Sequence, residues 1–266
     1  MKTIFAFCLF LSVYCCAFGQ HPLIGTWEMV SIKGINADGE RFSSDTSTIR
    51  EVKVITPTHY MLIAHDVEND TLVFNRCYFG AIRLDGDKYN ETPILSSVPI
   101  FENVKTDFTW KIVDDKFIQS GTLIRPDGKK VVLEELIFKR VRAAYAYPGN
   151  TVNGTWKLLK STSVAVNGEK RSDTNETVSA YQLFTPTHWM YISTRNKKFE
   201  HAMGGSYSVK GDKYLLDLDV STFSSKIWGK TEMTQKIAGG KLHTKGIMKF
   251  DDGKTITWED VFEKAK

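Results

Sequence analysis

The 266-residue chain predicts an all-β protein made of two tandem antiparallel up-and-down β-barrels, each of roughly eight strands. A long internal repeat, a two-residue hydrophobic period and the turn chemistry between the apolar runs carry that prediction. "ITPTHYMLI" (Ile55 to Ile63) returns as "FTPTHWMYI" (Phe184 to Ile192), and the two histidines stand 188 − 59 = 129 residues apart. "GTWEMVS" from Gly25 returns at the same offset as "GTWKLLK" from Gly154. "GDKY" at Gly86 returns at Gly211, where the offset has fallen to 211 − 86 = 125, so the second copy has lost residues in an intervening loop. "RAAYAYPGNTV", with Pro148-Gly149, is the linker. The copies are placed at residues 22–142 and 150–266, each the size of an ordinary domain.

Within each copy, runs such as "REVKVIT", "HYMLIAH", "FTWKIV" and "KVVLEELIF" alternate in hydrophobicity and favour β-branched and aromatic residues. Between them stand hairpin signals: Asp38-Gly39, Asn69-Asp70, Asp85-Gly86 and Asp127-Gly128 in the first copy, Asn167-Gly168, Gly239-Gly240 and Asp252-Gly253 in the second. Glycine supplies the positive φ that tight turns need, and Asp or Asn tolerates it. No stretch keeps a helical period. A meander of this length exposes two edges unless it closes, so a barrel is expected over an open sheet.

Residues 1–19 read as a signal peptide. Lys2 precedes an uncharged apolar stretch from Thr3 to Phe18, and Ala17-Phe18-Gly19 offers a cleavage site before Gln20. The stretch is too short for the roughly 20 residues of a spanning helix. The expectation is a secreted or periplasmic protein without a membrane span. Cleavage removes Cys8, Cys15 and Cys16, leaving Cys77 as a buried, inert thiol in an apolar run. The four Asn-x-Ser/Thr sequons, at Asn69, Asn90, Asn153 and Asn175, are read as chance. The 35 basic and 31 acidic residues are interspersed, with no basic stripe, so nucleic acid is not an expected partner.

Pro57 cannot donate to a ladder, so the repeated strand starts after it. Alternation then puts His59, Met61 and Ile63 on one face and Tyr60, Leu62 and Ala64 on the other. In the second copy the sets are His188, Met190, Ile192 and Trp189, Tyr191, Ser193. The first set is identical between copies and the second has changed throughout. An invariant face is expected to be a packed interior, so His59, Met61, Ile63, His188, Met190 and Ile192 are assigned to the barrel linings, where they meet any ligand. Trp110, Trp228 and Trp258 are assigned to the linings as well.

No metal or cofactor is expected: His59 and His65 lie about 20 Å apart on an extended strand, and the second copy has Thr194 in place of His65. Catalytic motifs are absent, and the adjacent pairs Glu134-Glu135 and Glu259-Asp260 point to opposite faces, so an enzyme is not expected.

"LIGTW" opening a β-rich domain that closes on Lys139-Arg140 resembles the lipocalin, or calycin, superfamily. The resemblance spans both copies and implies that a basic side chain from the last strand packs over the Gly-x-Trp indole at the closed end. By position these are Gly25 and Trp27 with Arg140 or Lys139, and Gly154 and Trp156 with Lys264. It also implies a carrier that holds a small apolar or amphipathic molecule in one or both barrels. Two other readings stay open: an interaction scaffold with filled barrels, and a barrel enzyme acting on a lipid or sugar.

Overall fold

The structure, a computed structural model, describes residues 21–142, 146–147, 149–222, 231–250 and 253–266. Residues 1–20, which include the segment expected to be a signal peptide, and Pro148, Trp228 and Asp252 lie outside the described residues.

The first barrel is built from β1 (Gly25–Ile35), β2 (Arg41–Asp45), β3 (Ile49–Ile55), β4 (His59–Glu68), β5 (Thr71–Asp85), β6 (Lys88–Ser96), β7 (Lys105–Val113), β8 (Lys116–Ile124) and β9 (Lys130–Arg140). The second repeats it with β10 (Gly154–Val164), β11 (Lys170–Thr174), β12 (Val178–Phe184), β13 (His188–Arg195), β14 (Lys198–Lys210), β15 (Lys213–Ser221), β16 (Thr231–Ala238), β17 (Lys241–Lys249) and β18 (Thr255–Lys264). Each strand pairs antiparallel with the next, and β9 and β18 return to β1 and β10. β2 and β3 share one edge of β1, covering Ser31–Ile35 and Gly25–Glu28 respectively, so they act as one interrupted strand. β11 and β12 do the same on β10. The result is two closed eight-stranded barrels in tandem. Closure leaves no long unpaired edge, the reason this meander does not stay open.

Turn chemistry follows the sequence. Asn69 and Asp70 join β4 to β5 with φ of 48° and 61°, and Asn196 and Lys197 join β13 to β14 with φ of 50° and 64°. Two positive φ values in succession match the twist of the flanking strands.

At the end of each barrel where β1 or β10 begins, the Gly-x-Trp motif meets a basic side chain. The Arg140 guanidinium lies 4.1 Å from the Trp27 ring centre and donates to the Pro22 and Ile24 carbonyls. The Lys264 ammonium lies 4.4 Å from the Trp156 ring and donates to the Asn153 carbonyl. A Cβ on Gly25 would stand 2.8 Å from Arg140, and one on Gly154 would stand 2.5 Å from Lys264. The glycine leaves room for the cation above the indole.

The inward and outward sets of the repeated strand are the reverse of the sequence expectation. Tyr60 packs in the core of the first barrel and Trp189 in that of the second, with Tyr191 against it. Met61, Ile63, Met190 and Ile192 form instead one apolar cluster drawn from both barrels, with Val52, Val54, Cys77, Phe79, Leu183 and Val220 among its members. It is the seam between the barrels. His59 stacks on Phe79 at 5.3 Å, Phe79 stacks on Tyr181 of the second barrel at 4.2 Å, and His188 is buried 3.9 Å from Asp219. The invariant face stayed invariant because each copy presents it to the other, and a change on either side must fit both. Volume is as costly there as in a barrel interior. His59, Met61, Ile63, His188, Met190 and Ile192 therefore do not line the barrels.

Polar contacts also bridge the seam. His65 Nε2 donates to the Ser221 carbonyl at 2.7 Å, and Arg50 donates to the Asp219 carbonyl at 2.9 Å. Cys77 is fully buried there, and burial pushes its thiol well up from its ordinary range.

Candidate functional site in the second barrel

The two interiors differ. On β3 the valines face the seam, which turns Glu51 and Lys53 into the first barrel. Lys53 is 1 % exposed, pairs with Glu91 and lies 3.3 Å from the Gln119 amide oxygen. Its ammonium sits among the rings of Tyr60, Tyr89 and Phe138 at 5.3 to 5.4 Å. Burial and the Glu91 carboxylate push both phenols well above their ordinary range. Arg76 reaches Glu51 at 2.8 Å. A buried charge needs a partner of opposite sign, and here both cations and both carboxylates have one. This interior is occupied by its own ion pairs and aromatic rings.

The second barrel has lost those pairs. Gln182 stands where Lys53 does and accepts from the Trp189 indole at 2.7 Å, and Ala180 stands in place of Glu51. Its polar groups form a belt instead. Cross-strand register aligns Asp173 with Ser161, Ser161 with Asp260, Asp260 with Thr244, and Thr244 with Gln235, across β11, β10, β18, β17 and β16. Asp260 shares its strand face with Phe262, a fully buried member of the barrel core. Directly opposed residues of neighbouring strands have Cβ atoms about 5 Å apart, so the belt is continuous.

Its polar atoms are under-used. Asp260 is 8 % exposed, Gln235 8 % and Thr244 3 %, yet among the described residues Asp260 Oδ1, Gln235 Oε1 and Thr244 Oγ1 have no hydrogen-bond partner. Gln235 Nε2 is turned to Met233 Sδ, which leaves its oxygen free. Buried polar groups are nearly always paired, and these three neighbouring ones are exceptions. At one end, Asp173 is held by Arg195 through two contacts of 2.6 and 3.0 Å, and Arg195 also reaches Glu200 at 3.0 Å. Burial pushes the Asp260 carboxyl up to about 7, the Asp173 charge adds to the rise, and a hydrogen bond from Ser161 opposes it. Asp260 in turn raises the Tyr191 phenol, itself already raised by burial.

Next to the belt, towards the β10–β11 end, Trp258 opposes Gly246, and a Cβ on Gly246 would collide with the indole. The missing side chain lets the ring lie across the strand. Two adjoining clefts open here. One of ≈ 520 Å³ is lined by Trp258, Ser163 and Arg171, and one of ≈ 550 Å³ by Asp260, Thr244, Gln235 and Ser161. Thr162, Lys245 and Glu259 belong to both.

Of the residues assigned from the sequence to the linings, Trp258 packs against the second core beside the belt, and Trp110 packs against the first core with its indole donating to the Gly86 carbonyl at 3.1 Å. The six residues of the repeated strand are in the seam. Sequence reading discounted Asp260 as half of an adjacent carboxylate pair, and missed Ser161, Thr244 and Gln235. Their signal was a contrast between copies: the register positions that hold Ile32, Leu136 and Trp110 in the first barrel hold Ser161, Asp260 and Gln235 in the second.

Neither a protein-family model nor a curated protein matches the sequence. Solved structures match at low identity and low TM-score. A protein of unknown function from the DUF3598 family of Nostoc punctiforme is 12 % identical, with a TM-score of 0.29 over 92 % of this chain and 97 % of its own. An uncharacterized Saccharomyces cerevisiae protein is also 12 % identical, with a TM-score of 0.47 over 88 % and 97 %. Kievitone hydratase from Nectria haematococca is 8 % identical, with a TM-score of 0.24 over 91 % and 89 %. Similarity at this level carries no functional argument; the site has to be read from its own chemistry.

Proposed function

We propose that the protein is an exported small-molecule carrier, in which the second barrel holds an amphipathic ligand and the first is its solid support. The observation that carries this reading is the row of buried, unpartnered polar atoms on Asp260, Thr244 and Gln235, lining a cleft beside Trp258. Binding sites combine apolar walls with a few convergent polar groups, and this is such a combination. The resemblance to lipocalins supports the same reading, as does the signal-like N-terminus for export. Binding is proposed without a catalytic step: the residues directly opposite Asp260 are the hydroxyl-bearing Ser161 and Thr244, which orient a guest and do not exchange protons near neutral pH.

Native mass spectrometry of protein purified from its own host tests the reading. The expected result is a small molecule bound to the wild type and lost from Thr244→Phe, which fills the belt. Equal spectra without adduct, together with equal binding of an apolar fluorescent probe by both proteins, would overturn it.

A further inference from the structure

We propose that the ligand is an organic cation, a small amine whose ammonium group meets Asp260 while its apolar body lies against Trp258. This rests on the reading of the second barrel as the ligand-holding one, and it follows from which kinds of polar atom the belt leaves free. Asp260 Oδ1 and Gln235 Oε1 are acceptors, and the Thr244 hydroxyl can act either way. The guest must therefore supply donors.

Among the described residues, the protein's own cations near the belt face away or are engaged elsewhere. Lys160, Lys236, His243 and Lys245 border the cleft but are exposed and alternate with the belt residues onto the opposite strand face. Lys245 pairs with Glu259 at 2.6 Å. Arg195 is shared between Asp173 and Glu200, Arg171 is held by Glu169 at 3.0 Å, and Lys264 caps Trp156 at the closed end. Among the described residues Asp260 is thus a buried carboxylate without a basic partner, whereas the carboxylates turned into the first barrel, Glu51 and Glu91, each have one. The titratable groups that act on it are Asp173 on β11 and Tyr191 on β13, neither of which brings positive charge, and Asp212 and Glu259 at the cleft add none. An ammonium ion supplies the missing charge and two or three donors at once. Trp258, two residues along the same face and about 7 Å away, offers a π-face that attracts a cation and shields an aromatic or aliphatic body.

The test compares three probes of one shape by isothermal titration calorimetry: phenethylamine, 2-phenylethanol and phenylacetate. The expected result is that the amine binds about tenfold or more tightly than the alcohol, as a charge-assisted hydrogen bond exceeds a neutral one. Phenylacetate should bind more weakly than either. Amine affinity should rise between pH 6 and 8, because the guest favours ionised Asp260. Asp260→Asn should remove both the amine preference and the pH dependence while leaving 2-phenylethanol binding within about twofold. If that variant does not fold, Gln235→Leu should still weaken the amine more than phenylacetate. Equal affinity for amine and alcohol, or a preference for phenylacetate, overturns the cation proposal and leaves a binding barrel. If none of the three probes binds at millimolar concentration, the carrier reading itself is what fails.

Discussion

The Thr26 hydroxyl lies 3.0 Å from the Thr185 hydroxyl, and the repeat turns that contact into a second one, Thr56 to Thr155 at 2.8 Å. Thr155 is the counterpart of Thr26 and Thr185 that of Thr56, so residue and partner exchange roles across the seam. Reciprocity of this kind is the mark of an isologous, two-fold contact. The two barrels meet through the same patch of each, with the methionines and isoleucines of β4 and β13 in its apolar cluster.

Truncation in that cluster should be expensive. Met190→Ala and Ile63→Ala, both fully buried, should each cost about 2–5 kcal/mol. Chemical denaturation followed by tryptophan fluorescence is the check. A charged substitution such as Met61→Glu should go further and split a single unfolding transition into two.

The ion pair inside the first barrel makes an opposite pair of expectations. Lys53→Met leaves Glu91 buried without its cation and should destabilise by about 3–5 kcal/mol. Adding Glu91→Leu to that variant should recover most of the loss, because two apolar side chains tolerate the interior that one stranded charge does not. A double-mutant cycle measures the coupling.

Asp260 should make the protein less stable as pH rises. Its folded pKa, about 7, is above its ordinary value of 3.8, so between those limits the folded state binds the proton more tightly. The stabilisation is complete below the ordinary value and is lost as pH climbs through 7, amounting to about 4 kcal/mol at the upper end. Asp260→Asn should show a correspondingly flatter profile over the same range. Urea midpoints at pH 4 to 8 for both proteins test it.

His59 acts in the other direction. Burial against Phe79 lowers its imidazole to about 4 from 6.5, so the unfolded chain binds a proton that the folded protein resists. Stability tied to this group is present above 6.5 and lost as pH falls to 4, by roughly 3 kcal/mol. His59→Gln should weaken that acid dependence, read as the slope of stability against pH. An unchanged slope would place the ring in water and not in the seam.

Much of the fold was legible because a repeat, a two-residue period and turn residues all point to closed meanders. Strand orientation was not. Identity between the copies sends the His59, Met61 and Ile63 face of β4 inward, and its neighbour β3, with Val52 and Val54, shows why that fails. Both faces of that strand are buried, one in a dry seam and one in a barrel that tolerates ions, so the valines take the drier side and Lys53 and Glu51 the other. The same misassignment hid the site. Identity between copies marked the surface they share with each other, whereas the belt lies where they differ, at Ser161, Asp260 and Gln235 in place of Ile32, Leu136 and Trp110.

The reciprocal threonine contacts have a consequence for how such a chain can change. Two separate subunits meeting through one patch must stay identical, and their pairing weakens on dilution. Written into a single polypeptide, the partners are always at high effective concentration, and the contact persists however scarce the protein becomes. Each half is then free to drift wherever it does not touch the other. One half has filled its centre with charge pairs and rings, and the other has left acceptors open, a division of labour that a symmetric dimer has no means to encode.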